Sequence, residues 1–156
     1  MQKNCGSVLL ALSALAVVLP AWGAPNFTGE WKMNPSKSDF GQMPAPQSMT
    51  HKIEHKDPSL RVATTQVGEQ GETKSETKYT TDGAECSNEV RGNQVKSVLS
   101  WDGDALRFRS KLNMQGTDIN ISDQWALSED GKVLTINRHV EAPQGSVDLR
   151  IVYDKQ

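Results

Sequence analysis

The chain has 156 residues, with 17 Lys and Arg against 19 Asp and Glu, and a formal net charge of −2. That length fits one domain with a real core. The mild acidity excludes a nucleic-acid binder, whose phosphate partner requires clustered positive charge.

The first element in chain order is a leader. Lys3 precedes the twelve-residue apolar run Val8 to Leu19. A run of that length is short of the ~20 residues that cross a bilayer, and suits a secretory signal peptide. Ala21-Trp22-Gly23 places the cut after Gly23, so residues 1–23 are read as a signal peptide, with a retained N-terminal anchor as the alternative, and 24–156 as a single β-barrel domain. The expected location is therefore outside the cytoplasm, periplasmic or secreted. Cys5 precedes the apolar run, so it is not a lipid-attachment cysteine. Cys86 is then the only cysteine left, which excludes an internal disulfide. It is read as a small buried hydrophobe, with a reactive or intermolecular thiol as the alternative.

The mature part opens on Asn26-Phe27-Thr28-Gly29-Glu30-Trp31-Lys32-Met33, a short strand with a glycine two residues ahead of a tryptophan. Residues 34–47 form the one long connection, and three prolines there argue against a regular helix. Period-two alternation follows almost without interruption. Leu106, Phe108 and Leu112 alternate with Arg107, Arg109 and Lys111. Ile119, Ile121, Trp125 and Leu127 share a face, as do Leu134, Ile136 and Val140, and as do Val147, Leu149, Ile151 and Tyr153. Turn pairs such as Asp82-Gly83, Asp102-Gly103, Gln115-Gly116 and Asp130-Gly131 supply the positive φ of tight hairpins. The runs between turns predict ten strands, near 27–33, 48–56, 60–66, 72–80, 84–91, 95–101, 105–112, 117–127, 132–141 and 146–154. The expected class is all-β, an up-and-down antiparallel barrel of about 8–10 strands or a sandwich. Closure is favoured because it removes sheet edges.

Three stretches resemble the calycin superfamily, the lipocalins and fatty-acid-binding proteins. Gly29-Glu30-Trp31 resembles the Gly-x-Trp opening strand of both. Ser100 to Leu106 resembles a hairpin of fatty-acid-binding proteins, and Leu149 to Lys155 their closing strand. The resemblance implies a barrel that binds a small hydrophobic or amphipathic molecule. It also implies an arginine lying across Trp31, for which Arg138 is preferred over Arg150. Arg138 shares the apolar face of its strand, with a place at the rim as the alternative. Two departures stand out. The Arg-x-Tyr carboxylate clamp of fatty-acid-binding proteins is spaced one residue longer here, Arg150 to Tyr153, so the two side chains oppose unless a bulge intervenes. Their two-helix lid has no counterpart in residues 34–47.

If the apolar phase faces inward, the middle strands put Thr64, Thr73, Ser75, Thr77, Tyr79, Cys86, Asn88, Val90 and Ser97 inside. A filled core would use Leu, Ile and Val, so these hydroxyls suggest a partly hydrated cavity. The alternative is an open sheet wet on both faces. The expected lining is Trp31, Met33, Ile53, Leu99, Trp101, Phe108, Ile121, Trp125, Ile136, Arg138 and Tyr153. Asp123 interrupts an apolar face and reads as a partner of Arg138, a ligand contact or a rim carboxylate. His51 and His55 are ~13 Å apart on a strand at ~3.3 Å per residue, too far to share a metal ion, and no metal or cofactor is expected. No catalytic constellation is present. Asn26 and Asn120 head glycosylation patterns that matter only in a eukaryotic secretory pathway. Three functional readings stay open: first a binder of a small apolar or amphipathic ligand, second an envelope-associated or inhibitor-like protein-binding module, and last an enzyme on the barrel, for which no constellation presents itself.

Overall fold

The structure is a computed structural model that describes residues 23–156. The expected leader, apart from Gly23, and Cys5 lie outside the described residues. Ten strands follow one another: β1 (Gly29–Met33), β2 (Ser48–Lys56), β3 (Ser59–Gly68), β4 (Gly71–Thr80), β5 (Glu85–Val90), β6 (Asn93–Asp102), β7 (Ala105–Met114), β8 (Thr117–Leu127), β9 (Val133–Ala142) and β10 (Gly145–Lys155). They form one antiparallel sheet in the order β4-β3-β2-β1-β10-β9-β8-β7-β6-β5. This is the expected up-and-down meander, curled into a nearly closed calycin-like barrel.

The alternation read from the sequence is the alternation of burial. On β2, His51, Ile53 and His55 are buried while Lys52, Glu54 and Lys56 face water. On β4, Glu72, Lys74, Glu76 and Lys78 are all exposed. Connections are tight because the turn residues accept left-handed backbone. Arg91-Gly92 (φ 52° and 78°) and Gln115-Gly116 (52° and 85°) have positive φ at both positions, as type I′ hairpins need. Residues 34–47 make only a three-residue 3-10 turn, Pro35–Lys37. The segment then runs beside β10, where Asn34 N–H donates to the Val152 carbonyl at 2.8 Å and Asp39 pairs with Arg150.

Closure differs from a full ladder at one seam. β4 and β5 share no strand pairing and are laced by side chains instead. Asn88 Oδ1 accepts from Lys78 N–H at 2.8 Å, and Asn88 Nδ2 donates to the Lys78 carbonyl at 3.0 Å. Thr80 N–H donates to Cys86 Sγ at 3.2 Å. Half-buried Cys86 and Asn88 thus face β4 rather than a filled interior.

Trp31 stoppers one end. It is fully buried, and its Nε1 donates to the Phe27 carbonyl at 2.9 Å. Phe27 stacks on His55 and Trp101, with centroids 5.7 and 6.0 Å away. Phe27 N–H donates to His55 Nδ1, so the neutral ring carries its proton on Nε2, 3.5 Å from Asp57 Oδ1. Asp57 also accepts from Trp101 Nε1 at 3.2 Å and from Thr81 Oγ1. The hydroxyl of Thr81 is the main reason that the Asp57 carboxyl titrates below its ordinary range.

The cation over Trp31 is not Arg138 but Lys155, whose Nζ lies 5.4 Å from the ring centroid. Register explains the change, because Trp31 on β1 pairs with Lys155 on β10, whereas Arg138 belongs to β9. Gly29 makes room for it. A Cβ at Gly29 would stand 2.7 Å from Lys155 Cε, and its φ of +150° is one that side-chain-bearing residues rarely adopt. Gly29→Ala is expected to cost ~1–3 kcal/mol of stability by urea unfolding. Adding Lys155→Ala removes the clash but not the backbone strain, so the double variant should recover only part of the loss.

Candidate functional site

The hairpins at 69–70, 91–92, 115–116 and 143–144 lie at the end opposite Trp31, and the interior opens toward them as a cavity of about 370 Å³. Its apolar side comes from Val62, Phe108, Ile121, Trp125, Ile136 and Ile151. Phe108 and Trp125 stack with centroids 4.6 Å apart, and Tyr79 meets Phe108 edge-on at 5.4 Å. Thr64, Thr73, Ser75, Thr77 and Ser110 supply hydroxyls on the other side.

Of the expected lining, Phe108, Ile121, Trp125, Ile136, Arg138 and Tyr153 face this cavity. Trp31, Met33, Ile53 and Leu99 are buried in the packed cluster beneath it, and Trp101 packs against that cluster. The expected interior positions Thr64, Thr73, Ser75, Thr77, Tyr79 and Val90 reach the cavity as well. Ser97 is buried and shares a 2.7 Å hydrogen bond with Ser110. Sequence reasoning did not put Met49, His51, Gln66 or Arg91 at the site, although the phase of Met49 and His51 with Ile53 carried the signal.

The electrostatic centre is one ion pair. Arg138 Nε and Nη2 donate to the two carboxylate oxygens of Asp123, each at 2.7 Å, in the bidentate geometry of the strongest such pairs. Antiparallel register sets Asp123 directly opposite Arg138 between β8 and β9. The Asp123 side chain is 6% exposed and that of Arg138 34%, so the carboxylate is the deeper partner. Its charge holds the guanidinium proton even more firmly than usual.

His51 lies beside this pair. Its Nδ1 is 2.9 Å from Thr64 Oγ1, and its ring sits between Tyr153 at 4.6 Å and Trp125 at 6.2 Å. Burial, helped by the charge of Arg138, lowers its pKa from 6.5 to about 4. Tyr153 donates its hydroxyl to Met49 Sδ at 3.1 Å, and burial pushes its pKa upward. Arg150 is exposed, while Tyr153 is buried, and the β9–β10 register runs unbroken from Gly145 to Asp154. No bulge restores an Arg-x-Tyr clamp.

Two tests follow from this geometry. Arg138→Ala strands a buried carboxylate and should cost ~3 kcal/mol or more. Asp123→Ala leaves a guanidinium that reaches water and should cost only ~1–2 kcal/mol. The double variant should be more stable than the sum predicts by at least ~1 kcal/mol in chemical unfolding. The second test concerns pH. The unfolded chain protonates His51 near pH 6.5, whereas the fold keeps it neutral down to about 4. The unfolded state therefore binds more protons between these values. The His51 contribution is complete above pH 6.5 and falls by roughly 3 kcal/mol on descent to pH 4. His51→Phe should flatten the pH dependence of stability over that window, and an unchanged slope would assign it to another group.

Comparison with known proteins agrees on architecture. No protein-family model and no curated protein matches the sequence. Among solved structures, zebrafish ileal bile acid-binding protein complexed with cholic acid superposes with a TM-score of 0.58 at 16% identity, covering 83% of this chain and 98% of that one. A secretory abundant heat soluble protein from Ramazzottius varieornatus gives 0.58 at 15% identity, over 86% and 98% of the two chains. Human cRBP IV gives 0.56 at 16% identity, over 85% and 99%. At such identities the likeness is one of fold, and it spans nearly the whole of each of these barrels.

Proposed function

We propose that this chain is an exported binder of a small apolar or amphipathic molecule, held inside the barrel above the Trp31 stopper. The cavity carries this reading. Its volume lies in the ~300–1,000 Å³ range of small-molecule sites, and it combines an apolar wall with a few placed polar groups. A barrel built only for rigidity would fill that space, because each void forfeits packing energy. The bile acid-binding protein that shares the fold was crystallised with cholic acid, which supports an interior site. Export rests on the apolar leader in residues 8–19. The alternative of a protein-docking module rests on the segment 34–47, where Met43 is 46% exposed. It leaves the cavity unused.

Nile red, a neutral fluorescent hydrophobe, should bind saturably with one molecule per barrel and a blue-shifted emission. Ser75→Phe places a ring in the cavity and should weaken binding at least ~10-fold, the effect of about 1.4 kcal/mol, with unfolding midpoints unchanged or raised. Binding that is absent, or indifferent to Ser75→Phe, would refute an interior site.

A further inference from the structure

We propose that the molecule this cavity takes is uncharged and carries a hydroxyl or carbonyl oxygen, and that carboxylates are rejected from its inner end. This deepens the interior-site reading and rests on it. The starting observation is that the charge inside the barrel is already balanced. Arg138 is the inner cation, and its Nε and Nη2 are committed to Asp123. A carboxylate could claim the guanidinium only by displacing Asp123, leaving that buried anion without its partner. If it entered without displacing Asp123, it would be a second negative charge beside the first, with its own hydration lost.

Among the described residues, no other group facing the cavity offers a free positive charge at that depth. His51 lies between Tyr153 and Trp125, and it stays neutral above about pH 4. Tyr79 and Tyr153 are neutral phenols. Lys74 and Arg91 belong to the open end and are exposed. Lys74 Nζ is 3.0 Å from Glu72 Oε1, while Arg91 Nη2 donates to Gln66 Oε1 at 2.9 Å.

What the inner wall does offer is hydrogen bonding without net charge. A guanidinium has five N–H donors, and the bidentate pair occupies two of them. The remainder belong to a cation whose charge Asp123 cancels. The hydroxyls of Thr64, Thr77 and Ser110 already bond His51, the Val62 carbonyl and Ser97 but keep acceptor capacity, and that of Ser75 can donate or accept. A ketone, ester or alcohol oxygen meets these groups on equal terms. A pure hydrocarbon leaves the spare guanidinium N–H groups and the Ser75 hydroxyl unanswered, and an acid adds a charge that nothing neutralises.

The test is displacement of bound Nile red at pH 7 by three matched probes: a medium-chain methyl ketone, the carboxylic acid of the same chain length, and the parent hydrocarbon. The ketone should displace Nile red at least ~5-fold more effectively than either of the others, as one net hydrogen bond would give. Asp123→Asn then frees the positive charge of Arg138. It should raise affinity for the acid by ~10-fold or more while changing that for the ketone far less. An acid that matches or outcompetes the ketone on the wild-type barrel overturns the neutral-ligand proposal and leaves the interior site standing. So does an Asp123→Asn barrel that folds, by circular dichroism, yet gains nothing for the acid. Nile red that fails to bind the wild type overturns both readings together. If Asp123→Asn does not fold, the ranking of the three probes on the wild type decides.

Discussion

Strand β1 pairs with β2 on one side and β10 on the other, and among the described residues its two ladders join β2–β4 to β5–β10. It has five residues, too few for its backbone bonds alone to secure the join. The burial of Trp31 does much of that work, and three local conditions make the burial feasible. The indole N–H finds the Phe27 carbonyl, so no donor is stranded. Gly29 presents no side chain, so Lys155 can cross the ring. Phe27 in turn is held by His55 and Trp101. These contacts lie at one end of the barrel and leave the other free to be hollow.

That division of labour places the polar chemistry. A fully apolar interior would need no register beyond the pleat. Here Asp123 and Arg138 must meet across the β8–β9 ladder, and a slip of one residue between the strands would turn one of them to the outside. The pair therefore specifies the alignment of the two strands as well as the electrostatics of the cavity. Burial keeps His51 neutral, the guanidinium of Arg138 adds to that effect and the carboxylate of Asp123 opposes it. One contact thus bears on both strand register and cavity charge.

Most of the fold was legible in the sequence because alternation and turn chemistry are local. The exposed series Glu72, Lys74, Glu76 and Lys78 names its own face, and each strand emerged within a few residues of its expected bounds. What depended on pairing between distant strands was less legible. Lys155 and Arg138 are both plausible partners for Trp31 until β1 is known to pair with β10 at that register. Depth along the barrel was equally hidden. Trp31, Ile53, Leu99, Phe108 and Ile136 all face inward, and alternation cannot tell a residue in the packed base from one in the hollow half. The phase of the strand does show a residue such as Thr64 or Ser75 pointing inward. It does not show whether a cavity lies in front of it.

The seam between β4 and β5 has a consequence for capacity. Ladders fix the spacing of neighbouring strands at roughly 4.8 Å, so a barrel fully ringed by them has a rigid girth. Here one joint is a lacing of Asn88 and Cys86 side chains. Widening along this line would break side-chain contacts only and leave every ladder whole. A molecule held inside would not need to match the resting volume, because the hoop is fastened by a buckle.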